Sequence, residues 1–514
     1  MLSADALDVG TSILIAVLVA GICRNRGWST AIPLLLAGIV VGIAPIGPSG
    51  PADPEFVLVL VLAPLVFGEA LTSSIVDLRR VSRPVMALAV GLVVVGAVAV
   101  GFIAQWIIPG IWTPMAFALG AILGPTDAVA VSATARKAGL PRRLVHVLEG
   151  ESLVNDGTAL TLLRVCSVAA AAGSVTAWQI TGILLSSVLG GVLVGLLGGM
   201  ALVATVRRSR DTTVGNGAIL LAPLPLYYIA ESFHGSGILA VVVAALVVAH
   251  GTSSAVTYTG RLQATSLWTT ITFILQSAAF FLVGLEMPLV VKGLPAGQLP
   301  TVLVAIPVVF VTLVATRFLF VFVMTTAAGS RTSGWIVGAW AGTRGPVSAL
   351  AAFTLPVTTN AGADIPDRAL VICVTFGVVL VSLLLAPTVA VLARHLDLPH
   401  DDDEAVKRRV NVALARAALD RLEQIEETGQ RCAEPVPAGV VESLRTAAEQ
   451  RLNRAADATE GPGPTDRAMV KVLGVQMMRA EQEELLRLRD REGLPDSLVR
   501  QMQRDIDVRI RALS

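Results

Sequence analysis

The densest chemistry in this sequence lies in one short segment. Glu149-Gly-Glu151-Ser152-Leu-Val-Asn155-Asp156-Gly-Thr158 opens an otherwise apolar run. On a helix, Ser152, Asn155 and Asp156 stand at i, i+3 and i+4 and share one face. Glu151 points about 100° away and addresses another neighbour. The shared face offers a hydroxyl, an amide oxygen and a carboxylate. Asp127, in Gly124-Pro125-Thr126-Asp127, is expected opposite. Hard cations such as Na+ prefer oxygen, whereas soft metals want thiolate or imidazole. None of the five histidines or four cysteines joins the group. A half-buried carboxylate is also a proton site, because desolvation penalises its charged form. One aspartate that holds either a proton or a cation is a minimal device for exchanging the two.

The elements that carry these residues must lie in a bilayer. Of 514 residues, 54% are hydrophobic and 15% charged, against about 25% charged in soluble domains. Mean hydropathy is +0.73. Residues 1–400 hold 20 Lys/Arg and 16 Asp/Glu, and the last 114 residues hold 19 and 22. The expected division is therefore a membrane domain, 1–397, and a cytoplasmic tail, 398–514. A net charge of +1 gives no case for nucleic acid, and four scattered cysteines make no disulfide framework or zinc site. A crossing helix needs about 20 largely apolar residues. Thirteen such stretches read near 8–23, 28–44, 55–72, 84–105, 113–136, 143–171, 177–206, 214–231, 236–250, 264–286, 300–327, 333–356 and 368–394. Alternate loops hold 15 basic residues, from Arg24 and Arg26 to Arg394, and the loops between them only Lys292 and Arg368. The positive-inside rule then puts the N-terminus outside and the tail in the cytoplasm.

Charges left inside the apolar stretches include Glu69, Asp127, Glu151, Asp156, Arg164, Arg317 and Arg344. Each costs roughly 2.5 kcal/mol or more at the bilayer centre, so each is expected to face a bundle interior or a wet cavity. Arg164 is expected to pair or snorkel, and Glu286 to cap the outer end of its span. Gly120-Ala-Ile-Leu-Gly124 matches Gly338-Ala-Trp-Ala-Gly342 at an offset of 218, and Val66-Phe-Gly-Glu69 matches Val283-Gly-Leu-Glu286 at 217. Seven spans separate the members of each pair, so the repeats have inverted topology, a common plan among secondary transporters. The breaks at Gly124-Pro125 and at Gly342-Thr343-Arg344-Gly345-Pro346 mark two discontinuous helices. Broken backbone frees carbonyls to serve as cation ligands. The fold class is thus all-α membrane, with thirteen helices, inverted repeats, two discontinuous helices and a small helical tail.

These residues carry a resemblance. GPTDAVAVSATARKAGLP (124–141), LEGESLVNDGTAL (148–160), AWAGTRGPVSALAAFTLP (339–356) and APLVFGEAL (63–71) are similar, in order, to motifs of the cation:proton antiporter-1 family of Na+/H+ exchangers. The resemblance implies Asp156 as principal cation and proton carboxylate, with Asp127, Ser152 and Thr126 (through its carbonyl) as further Na+ ligands. It implies that Asn155 shapes the site, that Glu151 and Arg344 form a structural ion pair, and that Glu69 is an accessory acid. It further implies a homodimer, a core that moves in the membrane, no cofactor, and electroneutral exchange of one Na+ or Li+ for one proton. K+/H+ exchange is the close alternative, with a cation channel or a membrane sensor as the remoter readings. The chain departs from the family pattern at Gly68, which precedes Glu69, and at Thr343 and Pro346.

Two features lie outside the motifs. Gly190, Gly191, Gly195, Gly198 and Gly199 contain small-xxx-small spacing, readable as a packing or dimer seam or as composition. In the tail, Val410, Leu414, Ala417, Leu422 and Ile425 recur at helical spacing, and Pro and Gly punctuate helices near 438–459, 465–491 and 495–512. The tail reads either as a regulatory or dimerising bundle or as an accessory one.

Overall fold

The computed structural model describes residues 2–44, 58–127, 140–173, 175–209, 211–252, 258–327, 334–396, 403–428 and 438–456, with Glu481 and Val508. The described residues are helical almost throughout; a lone bridge pairs Thr358 with Asp364. The chain divides into two compact units, Met1–His400 and Asp401–Ser514.

In the first unit, α1 (Leu2–Asn25) and α2 (Ala31–Ile43) precede a π turn, Leu58–Leu62, that leads into α3 (Ala63–Thr72). After α4 (Ile75–Arg80), α5 (Ser82–Met86) runs through a second π segment into α6 (Val93–Ile107). There follow α7 (Thr113–Ile122), α8 (Arg142–Ala172), α9 (Ala177–Arg208), α10 (Thr212–Leu221), α11 (Pro223–Ser232) and α12 (Gly237–Thr252). The unit closes with α13 (Tyr258–Lys292), α14 (Leu299–Ala327), α15 (Gly334–Trp340), α16 (Pro346–Phe353), α17 (Arg368–Leu385) and α18 (Thr388–His395).

Six of the described helices are long and apolar enough to cross a membrane: Ser82–Ile107, Arg142–Ala172, Ala177–Arg208, Gln263–Lys292, Leu299–Ala327 and Arg368–Leu385. α10 and α11, bent by 41° where Pro223 opens the second helix, make a seventh if counted as one span. Each of the thirteen expected stretches holds a described helix, yet several, such as Thr113–Ile122 and Gly237–Thr252, are too short to cross alone. Backbone breaks and the limits of the described residues shorten them.

Local sequence explains the ends. Thr176 and Gln179 form a reciprocal capping box at the start of α9, satisfying donors that a helix N-terminus leaves open. Asp211 accepts from the Thr213 N–H at 2.7 Å to start α10. Gly173 ends α8 at φ +82°, a left-handed cap that suits a residue without Cβ.

Packing between helices relies on small residues, as it must where lipid gives no hydrophobic drive to association. The α9 glycines form an internal seam against α12 and the turn before it. A Cβ on Gly195 would stand 2.5 Å from the Ala240 carbonyl oxygen, and one on Gly191 2.8 Å from that of Ser236. A core of Val100, Met115, Leu119, Val309 and Val371 joins α6, α7, α14 and α17. A second core, including Phe67, Val203, Val241 and Trp268, joins α3, α9, α12 and α13.

In the second unit, α19 (Asp403–Thr428) packs against α20 (Ala438–Ala456). Ala415 is buried while Val410 and Leu414 of the expected apolar face stay exposed. The helices expected at 465–491 and 495–512 lie outside the described residues.

Candidate functional site

Two non-helical segments meet beside α8. α7 stops at Ile122, before Gly124-Pro125, and the extended chain from Gly124 to Asp127 passes the break between α15 and α16. The Asp127 N–H donates to the Thr343 carbonyl at 2.8 Å, tying one break to the other through main chain. The continuation of the first break, 128–139, falls outside the described residues. A Cβ on Gly345 would fall 2.7 Å from the Asp127 side chain, so only glycine lets the breaks approach this closely.

α8 brings its polar face to this crossing. The Ser152 hydroxyl donates to the Thr126 carbonyl, and Asn155 Nδ2 donates to Thr126 Oγ1 at 2.9 Å. Ser152, Asn155, Asp156 and Thr126 are all buried, Asp156 at 4% exposure. Asp127 acts electrostatically on both Asp156 and Glu69. Glu69, on α3, is hydrogen-bonded by the Gln276 side chain of α13. The structure thus gathers Asp156, Asp127, Ser152, Thr126 and Asn155 in one place, with Glu69 in electrostatic reach.

Among the described residues, three buried oxygens here have no hydrogen-bond partner, Asn155 Oδ1, Asp156 Oδ1 and Thr343 Oγ1. A buried acceptor left unmade costs about 1–3 kcal/mol, more when charged. Neighbouring oxygens of an amide and a carboxylate suit a desolvated alkali cation, which takes oxygen ligands. A proton on Asp156 would answer the same need.

The expected Glu151–Arg344 pair does not form. Both Glu151 oxygens are taken by Arg317 of α14, Nη2 to Oε2 at 2.8 Å and Nη1 to Oε1. Both side chains are nearly inaccessible, and Arg317 also donates to the Gly338 carbonyl at 3.1 Å. Gly342 makes room: a Cβ there would stand 2.7 Å from Arg317 Cδ. The guanidinium fork fits a carboxylate with two parallel bonds. Arg344, within electrostatic reach of both partners, instead satisfies broken backbone, donating from Nε to the Leu123 carbonyl at 3.1 Å and from Nη1 to that of Gly342. Its own N–H donates to Ser382 Oγ at 2.8 Å. Of the carbonyls at the breaks, those of Leu123 and Gly342 are engaged by Arg344, and those of Thr126 and Thr343 by Ser152 and the Asp127 N–H. The hint to Arg317 was its charge inside an apolar stretch; no motif surrounds it. Glu286 also departs from expectation: it is 9% exposed and interacts with Arg368 rather than capping into solvent.

A polar crossing of two non-helical segments, carried among apolar helices long enough to span a bilayer, fits the architecture of a secondary transporter. The family description "sodium/hydrogen exchanger, transmembrane" matches residues 12–392. The chain belongs to this family of cation:proton antiporters, multi-pass membrane transporters rather than enzymes. An uncharacterised Na+/H+ exchanger of Mycobacterium tuberculosis is 32% identical over 521 residues, covering 96% of this chain and 94% of the relative. A sodium, potassium, lithium and rubidium/H+ antiporter of Bacillus subtilis is 27% identical, covering 97% and 77%. In fold, the chain is similar to the sodium proton antiporter MjNhaP1 of Methanocaldococcus jannaschii, with a TM-score of 0.64, 20% identity and coverage of 77% and 99%.

Proposed function

We propose that the chain exchanges Na+ or Li+ for H+ across the cytoplasmic membrane, one for one and without net charge, in the service of pH homeostasis. Asp156 is the group for which cation and proton compete. The observation that carries this reading is its buried Oδ1, partnerless among the described residues as is that of Asn155, on a helix face that Ser152 and Asn155 tie to Thr126. Thr126 and Ser152 fix that frame, Asp127 adds a second acid, and Glu69 is accessory. Asn155 contributes an oxygen without a second charge, so one bound cation balances one released proton. Residues 1–397 make thirteen crossings with inverted repeats, N-terminus outside and tail inside, and the chain works as a homodimer in lipid. The tail, 398–514, regulates exchange.

K+/H+ exchange is the second reading. It is favoured by the Bacillus subtilis relative, a sodium, potassium, lithium and rubidium/H+ antiporter. Everted vesicles carrying a pH-sensitive dye test both. Addition of Na+ or Li+ is expected to dissipate a preformed acid interior, with K+ weaker. Absence of a cation-dependent pH change with all three ions overturns the antiport reading; a dominant K+ response selects the second.

A further inference from the structure

A cavity of about 430 Å³ opens along α8 beyond the site, and its lining includes Leu160, Arg164, Ser187, Tyr227, Glu231 and Thr354. Leu160 is one helical turn from Asp156, and Arg164 two turns, about 12 Å along the axis. α8 begins at Arg142 and Arg143, in a basic loop, so the cavity faces the opposite side of the membrane from that loop. Its walls come from α8 and the end of α16 on one hand, and from α9, α11 and the α11–α12 turn on the other.

A single ion pair spans it. Arg164 Nη1 donates to Glu231 Oε2 at 3.0 Å and to the Gly235 carbonyl at 3.1 Å, while Glu231 Oε1 accepts from the Gly237 N–H at 2.9 Å. The side chains are 30% and 35% exposed, so both remain open to the cavity. Ser187, fully buried, lines the same space with an Oγ that has no protein partner. The charged head groups of Arg164 and Glu231, both part exposed to this space, favour a hydrated cavity over an apolar packing void. The turn carrying Gly235 is held to α9 by the Ser236 N–H on the Ser187 carbonyl at 2.9 Å. Arg164 therefore reaches from the helix that bears Asp156 to a turn fixed on its neighbour.

We infer that this cavity is the route by which the cation reaches Asp156 from the side opposite the basic loops, and that Glu231 sets cation affinity there by cancelling the Arg164 charge. The inference rests on the cation/proton exchange proposed above. Glu231 and Arg164 are positioning residues that act through charge, since both Glu231 oxygens and Arg164 Nη1 are already committed.

Opposite variants separate charge from structure. One uncompensated charge about 12 Å from the bound cation, at an effective dielectric of about 20, changes affinity by up to about tenfold. In right-side-out vesicles, Glu231→Gln is expected to raise the KM for Na+ by up to about tenfold. Arg164→Gln should lower it by a similar factor, and the double variant should return it to within about twofold of the parent. In everted vesicles, where Na+ binds from the other face, the KM values should move much less. Arg164→Lys and Glu231→Asp keep both charges and are expected to keep the parental KM. Equal rises in KM for Glu231→Gln and Arg164→Gln, or a rise with Glu231→Asp as large as with Glu231→Gln, would overturn the inference in favour of a purely structural clasp. Loss of exchange in the unsubstituted protein would instead strike the antiport reading itself.

Discussion

Glu151 and Asp156 lie five residues apart on α8 and are treated in opposite ways. Glu151 has both oxygens bonded to Arg317, whereas Asp156 has one oxygen with no partner. A carboxylate fully engaged by a guanidinium has little left to offer a transported ion, so Glu151 suits the fixing of the helix, and the proposed exchange falls to Asp156. Asp156→Asn keeps the shape and removes the titrating charge. It should abolish cation-dependent pH change in everted vesicles while the protein still purifies as a monodisperse species; retained exchange would move the site elsewhere. Arg317→Gln leaves a buried acid unpaired and is expected to cost about 3–5 kcal/mol in stability, read as a lower melting temperature in detergent. Glu151→Gln combined with Arg317→Gln should recover part of that loss, because no uncompensated charge remains. The oxygen-bearing residues were legible in the sequence because i, i+3, i+4 spacing forces them together. The partner of Glu151 was not, because three internal arginines, Arg164, Arg317 and Arg344, were available to it. The choice depends on where Gly342 leaves space and on which backbone carbonyls the breaks expose.

At the scale of elements, the breaks were legible and the seams less so. Gly and Pro interrupt the apolar runs at 124–125 and 342–346, and there the helices stop. Hydropathy located the helices, but not the bend at Pro223 or the π segments near 58 and 87. The α9 glycines could be read two ways until α12 was seen against them. Gly195→Ala should therefore destabilise by about 1–3 kcal/mol through overpacking, whereas Gly182→Ala, in the same helix with nothing near its added Cβ, should stabilise by about 0.5–1 kcal/mol. Thermal unfolding in detergent compares the two, and equal shifts would contradict the seam. Gly345→Ala pushes on the Asp127 side chain and should depress exchange more than it depresses melting temperature.

For the whole molecule, the proposed balance of one carried cation against one proton has an electrical signature. Moving one elementary charge across 100 mV is worth about 2.3 kcal/mol, so a potential imposed on proteoliposomes should leave the initial exchange rate unchanged. A rate that follows the potential would require a second proton, with Glu69 or Asp127 its nearest source. Deleting residues 400–514 should shift the pH dependence of exchange if the tail regulates it; an unchanged profile would make the tail accessory. The Glu151–Arg317 pair also bears on how the chain is made. Its members are 166 residues apart in sequence, so the ribosome must deliver the first half, Glu151 included, long before its counter-charge exists. Until α14 emerges, α8 carries a carboxylate whose place in hydrocarbon costs roughly 2.5–3.5 kcal/mol. The nascent helix must then wait near the insertion machinery or at the membrane surface, and a chain arrested before Arg317 should be a substrate for quality-control proteolysis.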